Sequence, residues 1–255
     1  MFISIIFASL LGNIVSKPLY TCGQIESEKK PYGAIERRVD CEYLKKGGMI
    51  SVLEFKKQTD IQYGTALHFD SLWRKRDSCF FMNGERNGTC LNWDTAGNVV
   101  GRAAYRNGKN IGKRESYFAP GRPALIKNYN TAGKADGPWT EWWKNGNKKA
   151  EYVAKNGHII SGTEYYQDGK PRIRYRTKYE PENRNVLKMK HIEAQGWAPN
   201  GKSTGKIETG NGEWILFPDG RDTTDHSVFR EVYKDSVMIK GEKLDSAEIV
   251  KWLKP

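Results

Sequence analysis

The chain has 255 residues, with 42 Lys plus Arg against 30 Asp plus Glu and a formal net charge of +12. That excess steers the protein toward acidic partners. No nucleic-acid reader motif accompanies it, so nucleic acid is not an expected partner, and much of the excess (Lys109, Lys113, Lys144, Lys148, Lys149) falls on turns, as on a solvated face. His68, His158, His191 and His226 are scattered without the paired spacing of a metal site, so neither metal nor cofactor is expected.

Met1 to Ser16 carries no charge and contains the largely apolar run Phe2 to Leu11. Such a run suits the h-region of a signal peptide and is too short to span a bilayer. No Lys or Arg precedes it, and a buried first strand is the alternative. With residues 1–16 removed, the mature chain is expected to be periplasmic or secreted. Cysteine usage agrees, because Cys22, Cys41, Cys79 and Cys90 are the four cysteines present. Cys79 and Cys90 flank Asn83-Gly84-Glu-Arg-Asn-Gly88 almost symmetrically, as if opposed across a hairpin, which leaves Cys22 for Cys41. Three connectivities exist, and this one closes the shortest loops. Zinc is the rival, although there is no Cys-x-x-Cys and no His beside a cysteine.

Residues 17–62 read as an N-terminal cap and a first degenerate repeat, since Cys41-Glu-Tyr43-Leu-Lys-Lys-Gly47 resembles Cys79-Phe-Phe81-Met-Asn-Gly84. From 63 to 179 the repeat is plain: Gly64, Gly88, Gly112, Gly137 and Gly162 recur at intervals of 24, 24, 25 and 25. An aromatic follows the first four glycines at the fifth place (Phe69, Trp93, Tyr117, Trp142). A second aromatic track (Phe81, Tyr105, Tyr129, Tyr152, Tyr175) runs out of phase. Two tracks per period mean two short elements per unit. Aromatic-rich runs bracketed by Gly, with turn pairs such as Asn145-Gly146, read as β-hairpins with tight turns. An isolated hairpin is marginal, so successive units must stack.

The segment 180–206 is polar and out of phase, and is expected to be a degenerate repeat carrying an exposed loop. The motif returns over 207–241, in Gly212-Glu-Trp-Ile-Leu-Phe-Pro-Asp-Gly220, and 242–255 is expected to be a helical cap with Asp245 as N-cap. The fold class is all-β, an elongated array of stacked antiparallel hairpins with a short C-terminal helix. Aromatics beyond what such a stack buries are candidate partner contacts. Alternation gives Trp142 to the core and leaves Trp139 and Trp143 as contact candidates, with Tyr165, Tyr166 and Lys144 beside them. Trp197 and Lys202 join them from the irregular segment.

Gly137-Pro-Trp-Thr-Glu-Trp-Trp-Lys-Asn-Gly146 and Tyr105 to Gly112 resemble MORN-type repeats, in the bacterial variant found in antitoxin-like proteins. The likeness spans roughly 60–180 and 207–241. It implies a non-enzymatic periplasmic immunity protein that occludes a secreted antibacterial toxin, such as a lipid-degrading effector of a type VI secretion apparatus. Its alternative implication is a scaffold on a membrane or envelope that binds acidic phospholipid. Two enzyme patterns also occur. Gly196-Trp-Ala-Pro-Asn-Gly201-Lys202-Ser203 fits a P-loop, and Gly201-Lys-Ser203-Thr-Gly205, with Asp222 and His226 following, fits a nucleophile elbow. Both need a strand–turn–helix setting that these flanks do not supply, so a serine hydrolase is the remote alternative.

Overall fold

The computed structural model describes Gly23 and residues 25–30, 33–40, 50–183, 186–218 and 227–253. The expected signal peptide, Cys22 with Cys41, Asp222 and His226 lie outside the described residues. The sheet opens with β1 (Ile25–Lys30), β2 (Gly33–Asp40), β3 (Ile50–Lys56), β4 (Gln62–Phe69) and β5 (Lys75–Met82). β6 (Glu85–Arg86) and β7 (Gly88–Trp93) both pair with β5 and form one strand interrupted at Asn87. β8 (Val99–Arg106), β9 (Lys109–Ala119), β10 (Arg122–Tyr129), β11 (Ala135–Trp142), β12 (Lys148–Lys155) and β13 (His158–Tyr165) follow. The long pair β14 (Pro171–Asn183) and β15 (Val186–Trp197) leads to β16 (Ser203–Glu208), β17 (Asn211–Leu216), β18 (Phe229–Lys234) and β19 (Val237–Lys243). Helix α1 (Ser246–Leu253) closes the described chain.

Each strand pairs antiparallel with its neighbours in sequence, giving a single open meander whose edges are β1 and β19. One repeat is therefore one hairpin. The two out-of-phase tracks meet across the ladder: Gly64 faces Phe81, Gly88 faces Tyr105, Gly112 faces Tyr129, and Gly162 faces Tyr175. At Gly64 the space a side chain would fill is taken by Glu54, and at Gly162 by aromatic rings. A Cβ at Gly162 would sit 2.6 Å from Tyr152 Cδ1 and 3.1 Å from Tyr175 Cζ. Gly162→Ala should therefore cost about 1–3 kcal/mol of stability, read as a lower urea midpoint. An unchanged midpoint would mean that the two rings yield freely.

The two ends of the hairpins turn differently. At one end, Asn83–Gly84, Asn107–Gly108 and Asn156–Gly157 have positive φ at both residues, the type I′ geometry. The second residue of each such turn also bonds to the hairpin before it: Gly84 N–H donates to Gln62 O at 2.8 Å, Gly108 N–H to Arg86 O at 3.0 Å and Gly157 N–H to Ala135 O at 2.7 Å. The opposite end mostly uses five-residue loops, with the two-residue Pro120–Gly121 turn as an exception there and the five-residue Asn130–Lys134 loop as an exception at the first end. Asn145–Gly146, expected as a two-residue turn, belongs to a five-residue loop of the opposite end. Trp143 N–H bonds Asn147 O, Gly146 N–H bonds Trp143 O, and Gly146 alone of the pair has positive φ. This is a type I turn with a bulge.

The segment 180–206 is not mainly a loop. Its residues complete β14, form β15 and begin β16, and the register runs from Ile173 opposite Gly196 to Asn183 opposite Val186. Its charged residues fill alternate strand positions, which hides the pattern from an aromatic count. Cys79 and Cys90 are joined across β5 and β7 by a disulfide, as their spacing predicts. α1 is capped by Asp245, whose carboxylate accepts from Glu248 N–H at 2.9 Å. Its Ile249 and Trp252 pack on a buried cluster of Tyr166, Ala198, Ile215, Phe217, Val228 and Leu244. A second cluster joins Ile173, Ala194, Ile207 and Trp214, and a third near the other end joins Val39, Ile50 and Val52.

Candidate functional site

A groove of about 1070 Å³ crosses six consecutive strands, β11 to β16, and takes about three lining residues from each. Thr140, Glu151, Thr163, Arg174, Gln195 and Lys206 are successive cross-strand partners and all line it. They share one face of the sheet. Pro138, Val153, Ser161, Arg176 and Glu193 form a parallel row on the same face. The opposite face of these strands carries Ile173 and Tyr175, which pack in the Trp214 cluster.

The groove mixes paired and unpaired charge. Arg176 meets Glu193 at 3.4 Å and Lys206 meets Glu208 at 2.8 Å, both exposed pairs of small energetic weight. Glu151 is more firmly held. Lys148 donates to it at 2.6 Å and the Tyr165 hydroxyl at 2.7 Å, and these bonds, Lys148 first, hold its carboxyl below the usual pKa. Arg174 is exposed and makes no side-chain hydrogen bond or ion pair among the described residues.

The candidate contacts divide. Trp139 lines the groove and also borders a cavity of about 130 Å³ with Trp143, Tyr152 and Tyr165. Lys127 Nζ lies 3.7 Å from the Trp139 ring centroid, and the ammonium pKa is lowered, first by burial and then by Arg114. The Trp139 indole N–H is buried without a hydrogen-bond partner among the described residues. Trp143, expected as a contact, is core instead: it is 9% exposed and its Nε1–H donates to Tyr165 O at 3.3 Å. The five-residue turn begins at Trp143, and the chain's change of direction there defeats simple alternation. Tyr166 is likewise buried at 7% exposure, its hydroxyl donating to Trp197 O at 2.6 Å. Burial pushes that hydroxyl's pKa up.

The others lie at the turn end. Lys144 is exposed and its carbonyl accepts from the Arg122 guanidinium. Trp197, half-buried, ends β15. Lys202 is exposed, its Nζ 5.6 Å from the Trp252 ring, so it braces α1. The structure thus puts the Trp139 ring on the Tyr152 and Tyr175 face, behind the groove row, brings Tyr165 to the groove through its bond to Glu151, and leaves Lys144, Trp197 and Lys202 outside it. Arg174 and Arg176 are groove residues that the sequence reading does not single out. Their signal is the alternation Arg172-Ile-Arg-Tyr-Arg-Thr-Lys-Tyr179.

The two enzyme patterns fall on β15, a five-residue turn (Ala198 to Lys202) and β16. Strand–turn–strand offers no helix N-terminus to a phosphate and no elbow to Ser203, whose Oγ accepts from Gln195 Nε2 at 2.6 Å.

Behind the groove, His191 is surrounded by the rings of Tyr175, Trp214 and Tyr233 at 5.4–5.7 Å. Burial pulls its imidazole pKa below the ordinary value, partly opposed by Glu231. The unfolded chain, with a pKa of about 6.5, binds the proton first, so stability is retained above that pH and lost as pH falls below it. His191→Phe should flatten this part of the stability–pH curve in urea melts. A slope identical to that of the parent would reject the assignment.

No protein-family model matches the chain, and a search of curated proteins finds no match. Among the described residues, no helix is long and apolar enough to cross a membrane.

Proposed function

We propose that this chain is an exported, non-enzymatic binding protein of the immunity type, which holds a secreted antibacterial toxin and covers its active-site mouth. The observation that supports this most is the groove across six strands, which offers a macromolecule a long surface of mixed charge on a disulfide-braced array. Stacked hairpins suit such a role because each unit adds recognition surface without changing the fold. Lys and Arg on the groove face would pair with acidic residues at the rim of the toxin, and a type VI effector that degrades lipid is the class the repeat likeness suggests. Because the repeat likeness concerns architecture, the toxin itself has to be found by experiment.

Mixing the purified chain with the secreted product of the adjacent reading frame tests this reading. A stoichiometric complex that survives moderate salt is expected, together with loss of the toxin's activity. Absence of any complex would sink it. A second reading, an envelope scaffold, draws on the hollow of about 480 Å³ flanked by Lys134, Lys155, His158 and Lys178. Salt-sensitive binding to vesicles of acidic phospholipid, with no effector complex, would favour it. Esterase activity abolished by Ser203→Ala would overturn both.

A further inference from the structure

We propose that the exposed face of β14 is a docking row for an extended acidic segment of a protein partner, lying alongside the strand with a carboxylate at every second residue. This rests on the binding-protein reading above and specifies the chemistry of what the groove holds.

The row follows from alternation along one strand. Ile173 is buried, Tyr175 packs in the core and Thr177 is buried with its hydroxyl donating to Ile159 O at 2.6 Å. Their neighbours Arg174 and Arg176 therefore take the other face, and both are exposed. Arg172 begins the same alternation but is spent within the protein, bonded to Glu164 at 2.9 Å and to Phe217 O at 2.7 Å. Successive members of the exposed row stand about 6.6 Å apart, the two-residue repeat of an extended chain. An extended peptide beside β14 repeats at the same interval, so acidic residues at alternate positions stay in phase with the cations.

The surroundings favour a carboxylate ligand. Arg174 stands between Thr163 and Gln195, and Arg176 beside Ser161, so hydroxyl and amide groups flank the guanidinium groups. Planar guanidinium donors match carboxylate geometry. Glu193 is the one acid directly opposite the row, and its pair with Arg176 is solvent-exposed on both sides, at 61% and 55%, so an incoming carboxylate can replace it. Lys206, opposite Gln195, extends the positive surface sideways. A single-stranded nucleic acid has a similar charge interval, but its binders stack bases on exposed aromatic rings. Here the aromatic alternating with Arg174 and Arg176 is Tyr175, committed to the opposite face.

A labelled short peptide alternating Glu and Thr is the probe, compared with a peptide of the same composition whose Glu residues are contiguous, and with an oligothymidylate. The alternating peptide should bind several-fold tighter than the block peptide. The double variant Arg174→Glu/Arg176→Glu should weaken it by about tenfold or more, with an unchanged thermal midpoint. Equal binding of the two peptides, no binding, indifference to the double variant, or tighter binding of the oligothymidylate would each overturn the inference. The two readings fail separately. Peptide binding without an effector complex sinks the toxin assignment alone. An effector complex untouched by the double variant sinks the β14 row alone.

Discussion

Trp214→Ala should lower the free energy of unfolding by about 3–5 kcal/mol. Trp214 is 2% exposed and packs with Ile173, Ala194 and Ile207, while its Nε1–H donates to Glu231 Oε2 at 2.8 Å. Gly205 lies directly opposite, and a Cβ there would sit 2.9 Å from Trp214 Cα, so the strands are already at closest approach and have little room to collapse into the void. The loss should be local. In a stacked array each unit touches mainly its neighbours, and the Val39, Ile50 and Val52 cluster belongs to β2 and β3, far along the meander. Hydrogen exchange on the variant should show protection lost first from β14 to β18, with β3 to β5 retained. Uniform loss along the chain would show that the array unfolds as one unit and would contradict a local effect.

Replacing both Cys79 and Cys90 by serine should cost about 3 kcal/mol by the loop-closure argument, for a sequence separation of 11. A further loss is expected because Cys90 is only 7% exposed, so a serine at that position would bury a hydroxyl. The effect should concentrate in β4 to β8, the opposite half of the molecule from Trp214. Thermal melts of the parent with and without reductant, set beside the double variant, separate the two contributions. A parent whose melting is insensitive to reductant would deny the cross-link any stabilising role. Together the two variants ask whether the ends of one sheet can be weakened independently.

Much of the architecture is legible in the sequence because it depends on local chemistry. Glycines at a fixed period and aromatics out of phase with them mark two strands per unit, and the register sets four of the five repeat glycines opposite an aromatic, with Gly137 opposite Ala154. The pairing of Cys79 with Cys90 is readable from the turn residues between them. Asn145–Gly146 misleads because Asn-Gly serves both a two-residue turn and a five-residue loop, and the choice depends on how the flanking strands are bonded. The segment 180–206 misleads because its strands carry charge where the earlier repeats carry aromatics.

The candidate site is less legible. Alternation puts Trp139 and Trp143 on one open face, yet the turn starting at Trp143 folds that ring against the Tyr165 carbonyl. Arg174 and Arg176 look like ordinary surface charge, since nothing local distinguishes an Arg in a groove from an Arg on a convex surface.

What the sequence determined by itself is the period, the hairpin unit, the positive-φ turns and the strand-by-strand alternation, all set by backbone sterics and neighbours close along the chain. Only the tertiary structure decided which side of the sheet is covered. Val52, Leu67, Ser78 and Leu91 lead by successive partners through Arg102, Glu115 and Ile126 to Thr140, the row that continues to Arg174. Val52 is 2% exposed, whereas Arg174, on that same face, is open to solvent. Alternation states that successive residues face opposite ways; what packs over each face, at each point along the sheet, decides which of the two sides water can reach.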